Sequence, residues 1–362
     1  MEQLEKLWNA KRIYQEPICF SETENGSIIG GQLLFTPDRV ESVTSNDGAT
    51  VYQEGRDYRI EGSQLQRTSN SRIPVLPRDA YRKPYDGAQE TAWLRLPGGK
   101  SYLAIFPEVV RYQLCVTYSH HTCWDDFVPP DGSAVLSRSM QKLATGGAFR
   151  LVFYGDSITA GWEASGCDEE VIDMRSYQPF HLKISRPPYL PSWAELVTRQ
   201  LHAEYPQAEI QKINRGAGGS TTEWGVAHAK ELVCPHAPDL LILAFGMNSL
   251  CDSASLYKSQ MESIIDTVQS QNSDCDVLLI SPMTPSLEIA GFLDNTLAQQ
   301  EDALFEIAKD RRGIAVAPVH RFCEALLRRG KTYYELTGNC INHPNDFSVR
   351  VYAQTVLAAM GL

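Results

Sequence analysis

The sequence predicts an α/β fold, a three-layer, doubly wound domain on a five-stranded parallel sheet, preceded by an all-β sandwich of jelly-roll type. Three observations predict it. The chain has 362 residues, which is long for one small core and favours two domains. From about residue 17 to 120 it runs in short alternating segments broken by Gly, Pro, Asn and Asp, with no long helical period. After "LATGGAFR" continuous apolar runs alternate with helical stretches, the pattern of a parallel sheet covered on both faces. The expected division is therefore residues 1–145 for the β-rich domain and 146–362 for the α/β domain.

In the first half, "TVYQEGRDYRIEGSQLQRT" reads as strands joined by turns at Glu54-Gly55 and Glu61-Gly62. "RYQLCVTYSH" alternates, with Tyr112, Leu114, Val116 and Tyr118 on one side and Arg111, Gln113, Cys115 and Thr117 on the other. Scaffolding is the expected role of this half. In the second, "RLVFYG", "EIQKIN", "DLLILAF", "DVLLIS" and "GIAVAPV" are the five strands. Helices are expected over Pro191–Tyr205, Thr221–Val233, Ser255–Gln271, Leu297–Asp310 and after Pro344. Ligands of such sheets lie beyond the carboxyl ends of the strands, so the residues just past each strand are the place to look.

Composition excludes several classes. A formal net charge of −11 without a dense Lys/Arg cluster argues against a nucleic-acid partner. No apolar run reaches the length of a membrane span, and "MEQLEKLWNAKR" lacks the apolar core of a signal peptide. Nine scattered cysteines without a C-x-x-C pair suit reduced thiols in a cytoplasmic protein. Neither they nor the eight histidines show metal-ligand spacing, so no metal or other cofactor is expected.

The first strand is followed by "GDSITAG", where Thr159 replaces the last glycine of G-x-S-x-G. The second is followed by "NRGAGGSTT", where Thr221 replaces the last glycine of G-x-G-x-x-G. "GMNS" comes after the third, and "NCINHPNDF" stands near the C-terminus. Singly, Ser157 reads as a helix cap, the glycines as turns, and His343 as a surface histidine. Together they suit acyl transfer. A serine hydroxyl needs a base, and histidine can serve near neutral pH. A tetrahedral intermediate needs donors aimed at its oxyanion, from close-approaching backbone N–H groups and a side-chain amide.

"GDSI", "NRGAGGST", "GMN" and "NHP", in this order, resemble the four blocks of the SGNH (GDSL-like) hydrolase superfamily over residues 149–362. The resemblance implies Ser157 as nucleophile, His343 as base, and an oxyanion hole from the Ser157 N–H, Gly219 and Asn248. Gly219 is preferred to Gly218 because it stands five residues after Asn214, as in the second block. A β-rich half before such a domain resembles a subset of these enzymes that includes carbohydrate acetyl esterases.

The sequence departs from the pattern where an aspartate commonly precedes the histidine by three residues. Cys340 stands there, and a thiol is a weak, neutral acceptor. A Ser157–His343 dyad oriented by a main-chain carbonyl near residues 340–342 is expected, with Asp346 the rival in the first turn of the last helix. Asp156 is expected to brace the turn. A 29-residue insertion from Glu163 to Pro191 brings Arg186 and Tyr189, which with Trp162 are candidate substrate contacts.

The expectation is a serine esterase removing a small acyl group, acetyl first, from a hydroxylated substrate such as an oligosaccharide. The alternatives are acyl transfer to an alcohol and an inactive carbohydrate-binding protein. A small-molecule ester is the expected partner; a homo-oligomer stays open.

Overall fold

The computed structural model describes residues 4–362. Its first half holds an antiparallel sheet of β1 (Arg12–Cys19), β2 (Arg39–Ser45) and β3 (Gln113–Ser119), with β3 in the middle. Two-stranded ribbons accompany it; one pairs Tyr58–Glu61 with Gln64–Arg67 around Gly62, whose φ of +58° explains the glycine. The alternation in β3 divides its residues between two sides, and both are buried: Gln113, Cys115 and Thr117 on one, Leu114, Val116 and Tyr118 on the other. β3 is flanked by strands on both edges, and its polar face meets the second half of the chain. Its polar side chains are paired: Gln113 reaches the second half, and Thr117 Oγ1 accepts from the Gln15 N–H of β1 at 3.1 Å.

Helix α1 (Ser137–Thr145) ends at Gly146, φ +83°, and the chain enters β4 (Gly147–Gly155). With β5 (Ala208–Gly216), β6 (Leu240–Ala244), β7 (Asp276–Ile280) and β8 (Ile314–Ala317) it builds an all-parallel sheet in the order β5-β4-β6-β7-β8. The connections carry α2 (Ser157–Ala160), α3 (Trp193–Glu204), α4 (Thr222–Leu232), α5 (Ala254–Gln271) and α6 (Leu297–Asp310), and α7 (Val319–Arg328), α8 (Tyr333–Leu336) and α9 (Asp346–Ala359) follow β8.

Strand periodicity sorts the core into two layers. Leu151, Phe153, Ile242, Leu278 and Ile280 face Trp193, Val197, Phe347 and Tyr352. Their neighbours Val152, Tyr154, Leu241, Leu243 and Leu279 face Tyr257, Met261 and Ile264. Each such buried side chain contributes about 1.5–3 kcal/mol.

The first layer does not stop at residue 146. It continues into Leu7, Trp8, Ile18, Leu33 and Leu114, with Trp8 edge-on to Phe322 of α7 at 5.1 Å. Helix α7 escapes a reading by sequence because "GIAVAPV" runs straight into it and Pro318, its N-cap, resembles a terminator. Pro344, expected to start the last helix, lies one residue before the cap, Asn345.

Candidate active site

Strand β4 delivers Ser157 through a turn so tightly packed that glycine alone fits at its start, Gly155, and opposite it at the end of β5, Gly216. A Cβ on Gly155 would stand 2.2 Å from the Ala244 carbonyl oxygen, and one on Gly216 would stand 2.3 Å from Ala160 N. Helix α2 therefore wedges between the ends of β5, β4 and β6. Asp156 caps it, its Oδ1 accepting from the Ile158 N–H at 3.0 Å. The serine is thus relieved of capping. Asn214 Nδ2 donates to the Thr159 carbonyl (2.9 Å) while its Oδ1 accepts from Gly216 N–H (2.9 Å), and the buried Trp193 Nε1 donates to the Ile158 carbonyl (2.8 Å). Burial pushes the Asp156 carboxyl up to about 7, against the pull of the Ile158 and Met247 N–H groups.

His343 arrives on the loop between α8 and α9, 186 residues from the serine, and its Nε2 lies 2.9 Å from Ser157 Oγ. Ser157 is 6% exposed. Burial, with no charge to offset it, pushes the imidazole down to about 4. At neutral pH the ring is therefore uncharged, and with its proton on Nδ1 it can accept the hydroxyl proton at Nε2.

Gly219 follows β5 with φ +81°, and the thioether of Met174 lies 3.8 Å from where its Cβ would stand. Asn248 is exposed on the loop after β6, and one N–H of its amide donates to the Ser220 carbonyl at 2.9 Å. That bond ties it to the glycine turn and leaves a second N–H. Ser249 is buried and accepts from the Thr222 N–H at 3.1 Å, fixing the start of α4. Ser157, Gly219 and Asn248 thus follow three successive strands of one sheet, and His343 reaches them from the loop between α8 and α9.

The remaining predicted residues fall elsewhere. Cys340 is fully buried with φ +67°; its thiol is raised by burial and by the charge of Glu288. Asp346 Oδ1 accepts from the Ser165 N–H at 2.9 Å, and its buried Oδ2 has no partner. It braces the loop after α2. Among the described residues, neither it nor a main-chain carbonyl accepts from His343 Nδ1. Of the carbonyls expected there, that of Ile341 is engaged elsewhere, accepting from Ser286 N–H at 2.7 Å.

Arg186 Nη2 donates to the Glu163 carbonyl (2.7 Å) and carboxylate (2.9 Å), so its guanidinium closes the insertion on itself. Tyr189 is exposed, with φ +62°. Trp162 is half in solvent, its indole nitrogen 3.5 Å from the Cβ position of Gly218. The insertion is not a plain loop: Asp168–Ile172 and Pro179–Lys183 form a hairpin whose tip carries Met174, and Tyr177 packs on His228 at 4.4 Å. Met174 was not legible as a site residue, because register alone brings that tip to Gly219. Among the described residues no cluster of His, Cys, Asp or Glu could hold a metal ion, and no helix is long and apolar enough to cross a membrane.

A serine–histidine pair beyond the strand ends of a doubly wound sheet is the arrangement of a carboxylic ester hydrolase. Residues 153–347 match the GDSL-like Lipase/Acylhydrolase family, and the chain belongs to that family. No curated protein matches it. Among solved structures, it is similar to a two-domain esterase (CEX) active on acetylated mannans, co-crystallised with mannopentaose, at 21% identity and TM-score 0.47. That match covers 63% of this chain and 54% of the other, so the chain matches about half the length of that esterase. A variant of Axe2, an acetyl-xylooligosaccharide esterase from Geobacillus stearothermophilus, is 19% identical over 60% of this chain and 97% of that one, with TM-score 0.46. LAE5, an α/β hydrolase from the metagenome of Lake Arreo, Spain, is 19% identical over 61% and 98%, with TM-score 0.45.

Proposed function

We propose that the protein is a serine esterase that removes short acyl groups, acetyl above all, from hydroxylated substrates such as oligosaccharides. The observation that carries this reading is the 2.9 Å contact between Ser157 Oγ and His343 Nε2. Ser157 Oγ attacks the ester carbonyl as His343 takes its proton. The oxyanion is held by the N–H groups of Ser157 and Gly219 and the free N–H of Asn248. His343 then protonates the leaving alkoxide, and water, deprotonated by the same ring, releases the acid. Asp156, Asn214 and Trp193 keep α2 in place.

Met174 and Trp162 crowd the glycine turn, which supports a short acyl group. The exposed rings of Trp162, Tyr177 and Tyr189 support a substrate with sugar faces. Residues 146–362 carry the chemistry, and residues 1–145 form the accessory part. Nine free cysteines support a reducing, cytoplasmic setting. The test is hydrolysis of acetyl, butyryl and octanoyl nitrophenyl esters and acetylated xylo-oligosaccharides, with Ser157→Ala as control. Activity is expected on acetyl esters and to vanish in the control; an active Ser157→Ala would overturn the mechanism, and a preference for octanoyl the substrate class.

A further inference from the structure

The ring of His343 lacks the carboxylate that commonly fixes its tautomer and angle. What holds it is the backbone of its loop, and that backbone is built around two asparagines. Asn339 Oδ1 accepts from the N–H groups of Ile341 (2.9 Å), Asn342 (3.0 Å) and His343 itself (3.2 Å). Asn345 caps α9 by accepting from Ser348 N–H (3.1 Å) and donates to the Glu335 carbonyl (2.6 Å). Both side chains are almost fully buried. The histidine carbonyl closes the loop by accepting from Gly338 N–H at 2.8 Å.

This loop is gripped from the β-rich half by one side chain. Gln113, on the middle strand β3, is completely buried. Its Nε2 donates to the carbonyls of Tyr334 (2.6 Å) and Thr337 (2.8 Å), and its Oε1 accepts from Asn345 Nδ2 (3.0 Å). The carboxamide therefore bridges the end of α8 and the cap of α9, the two ends of the segment carrying His343. Neighbouring contacts work the same way: Cys19 N–H donates to Glu335 (3.1 Å), and Phe106 N–H to the Asn339 carbonyl (3.1 Å).

We propose that Gln113 is a positioning residue for His343, acting across the two halves through Asn345 and the loop that Asn339 organises. The proposal rests on the Ser157–His343 reading. It gives the β-rich half a share in catalysis without touching substrate. A displacement of about 1 Å at a reacting group costs about a hundredfold in rate, so a loosened loop shows in turnover before it shows in binding.

The test uses the full chain, with circular dichroism and gel filtration to show that each variant is folded. Gln113→Met keeps the volume and removes all three hydrogen bonds. Asn339→Leu removes the cradle, whereas Asn339→Asp keeps an oxygen for the three N–H groups. Gln113→Met and Asn339→Leu are expected to lower kcat on nitrophenyl acetate about 10- to 100-fold with KM within about twofold. Asn339→Asp is expected to return kcat to within about threefold of the parent. A residue that only stabilises the fold would lower the melting temperature and leave kcat untouched. Folded Gln113→Met with the parent's kcat overturns the proposal, as does Asn339→Asp as slow as Asn339→Leu. If Gln113→Met does not fold, the Asn339 pair decides. Full activity in Ser157→Ala and His343→Ala is a separate outcome, and it would remove the reading on which the proposal stands.

Discussion

Two groups at the site are moved from their ordinary values, Asp156 upward and, as the proposed base, His343 downward. The pKa of His343 is pushed below the ordinary histidine value, to about 4, so the competent, neutral ring persists as the pH falls past 6. The acid limb of kcat/KM is therefore expected near pH 4 rather than 6.5, as a rate profile on an acetyl ester will reveal. The histidine's share of stability moves with the same sign. The unfolded ring takes its proton near 6.5 and the folded one only near 4, so the contribution of His343 to stability is lost as the pH falls through that interval, while Asp156, raised to about 7, contributes in the opposite direction. Asn248 offers a second prediction. Asn248→Ala is expected to lower kcat by about a hundred- to a thousandfold with little change in KM, since in the proposed mechanism its free N–H meets charge that exists only in the transition state. Ser157, Gly219, Asn248 and His343 were legible because each is a chemically distinct residue in a short polar block beyond an apolar strand. Gln113 was not, because a glutamine in an alternating strand reads as a solvent-facing residue until the partner of that face is known.

At the level of elements, the insertion after α2 is the part most exposed to change in specificity. Its hairpin holds Met174 over the glycine turn, and the side chain is flexible and apolar. Met174→Ala is expected to raise the butyryl-to-acetyl ratio of kcat/KM by about tenfold, the scale of one or two methylenes in a pocket. An unchanged ratio would place the acyl group elsewhere. The five strands and the helices ending at Glu204, Leu232, Gln271 and Asp310 follow their periodicity closely. The hairpin and α7 do not, for opposite reasons. "DEEVI" and "PFHLK" are short and polar and gain strand geometry only by pairing with each other. Helix α7 is strongly two-faced, but no turn residue separates it from β8 except Pro318.

Over the whole molecule, the two halves are distinct in secondary structure and continuous in packing. Trp8 meets Phe322, Lys331 is ion-paired with Glu16 at complete burial, and Gln113 reaches the loop of His343. Removing one partner of a buried pair leaves the other charge stranded, at a cost of about 3–5 kcal/mol. The full chain is therefore expected to melt in one cooperative calorimetric transition, and a fragment of residues 146–362 to lose the compact fold. Two separate transitions would show that the halves are independent. A change in periodicity marks a change in architecture, and the chain has one near residue 146. It does not mark a break in the core, because that depends on which faces meet, and the meeting of β3 with α8 leaves no trace in local pattern.

The seating of β3 against the segment from α8 to α9 also sets an order in time. During synthesis, Gln113 leaves the ribosome more than 200 residues before Tyr334, Thr337 and Asn345. Until they emerge, the inner face of β3 has no partner for its carboxamide, and the serine of the early strand has no histidine. The nascent chain therefore gains its completed β-rich half and its reactive centre in the same late event, when the stretch around residue 340 docks. A chain stalled before that point would hold Ser157 without His343 beside it.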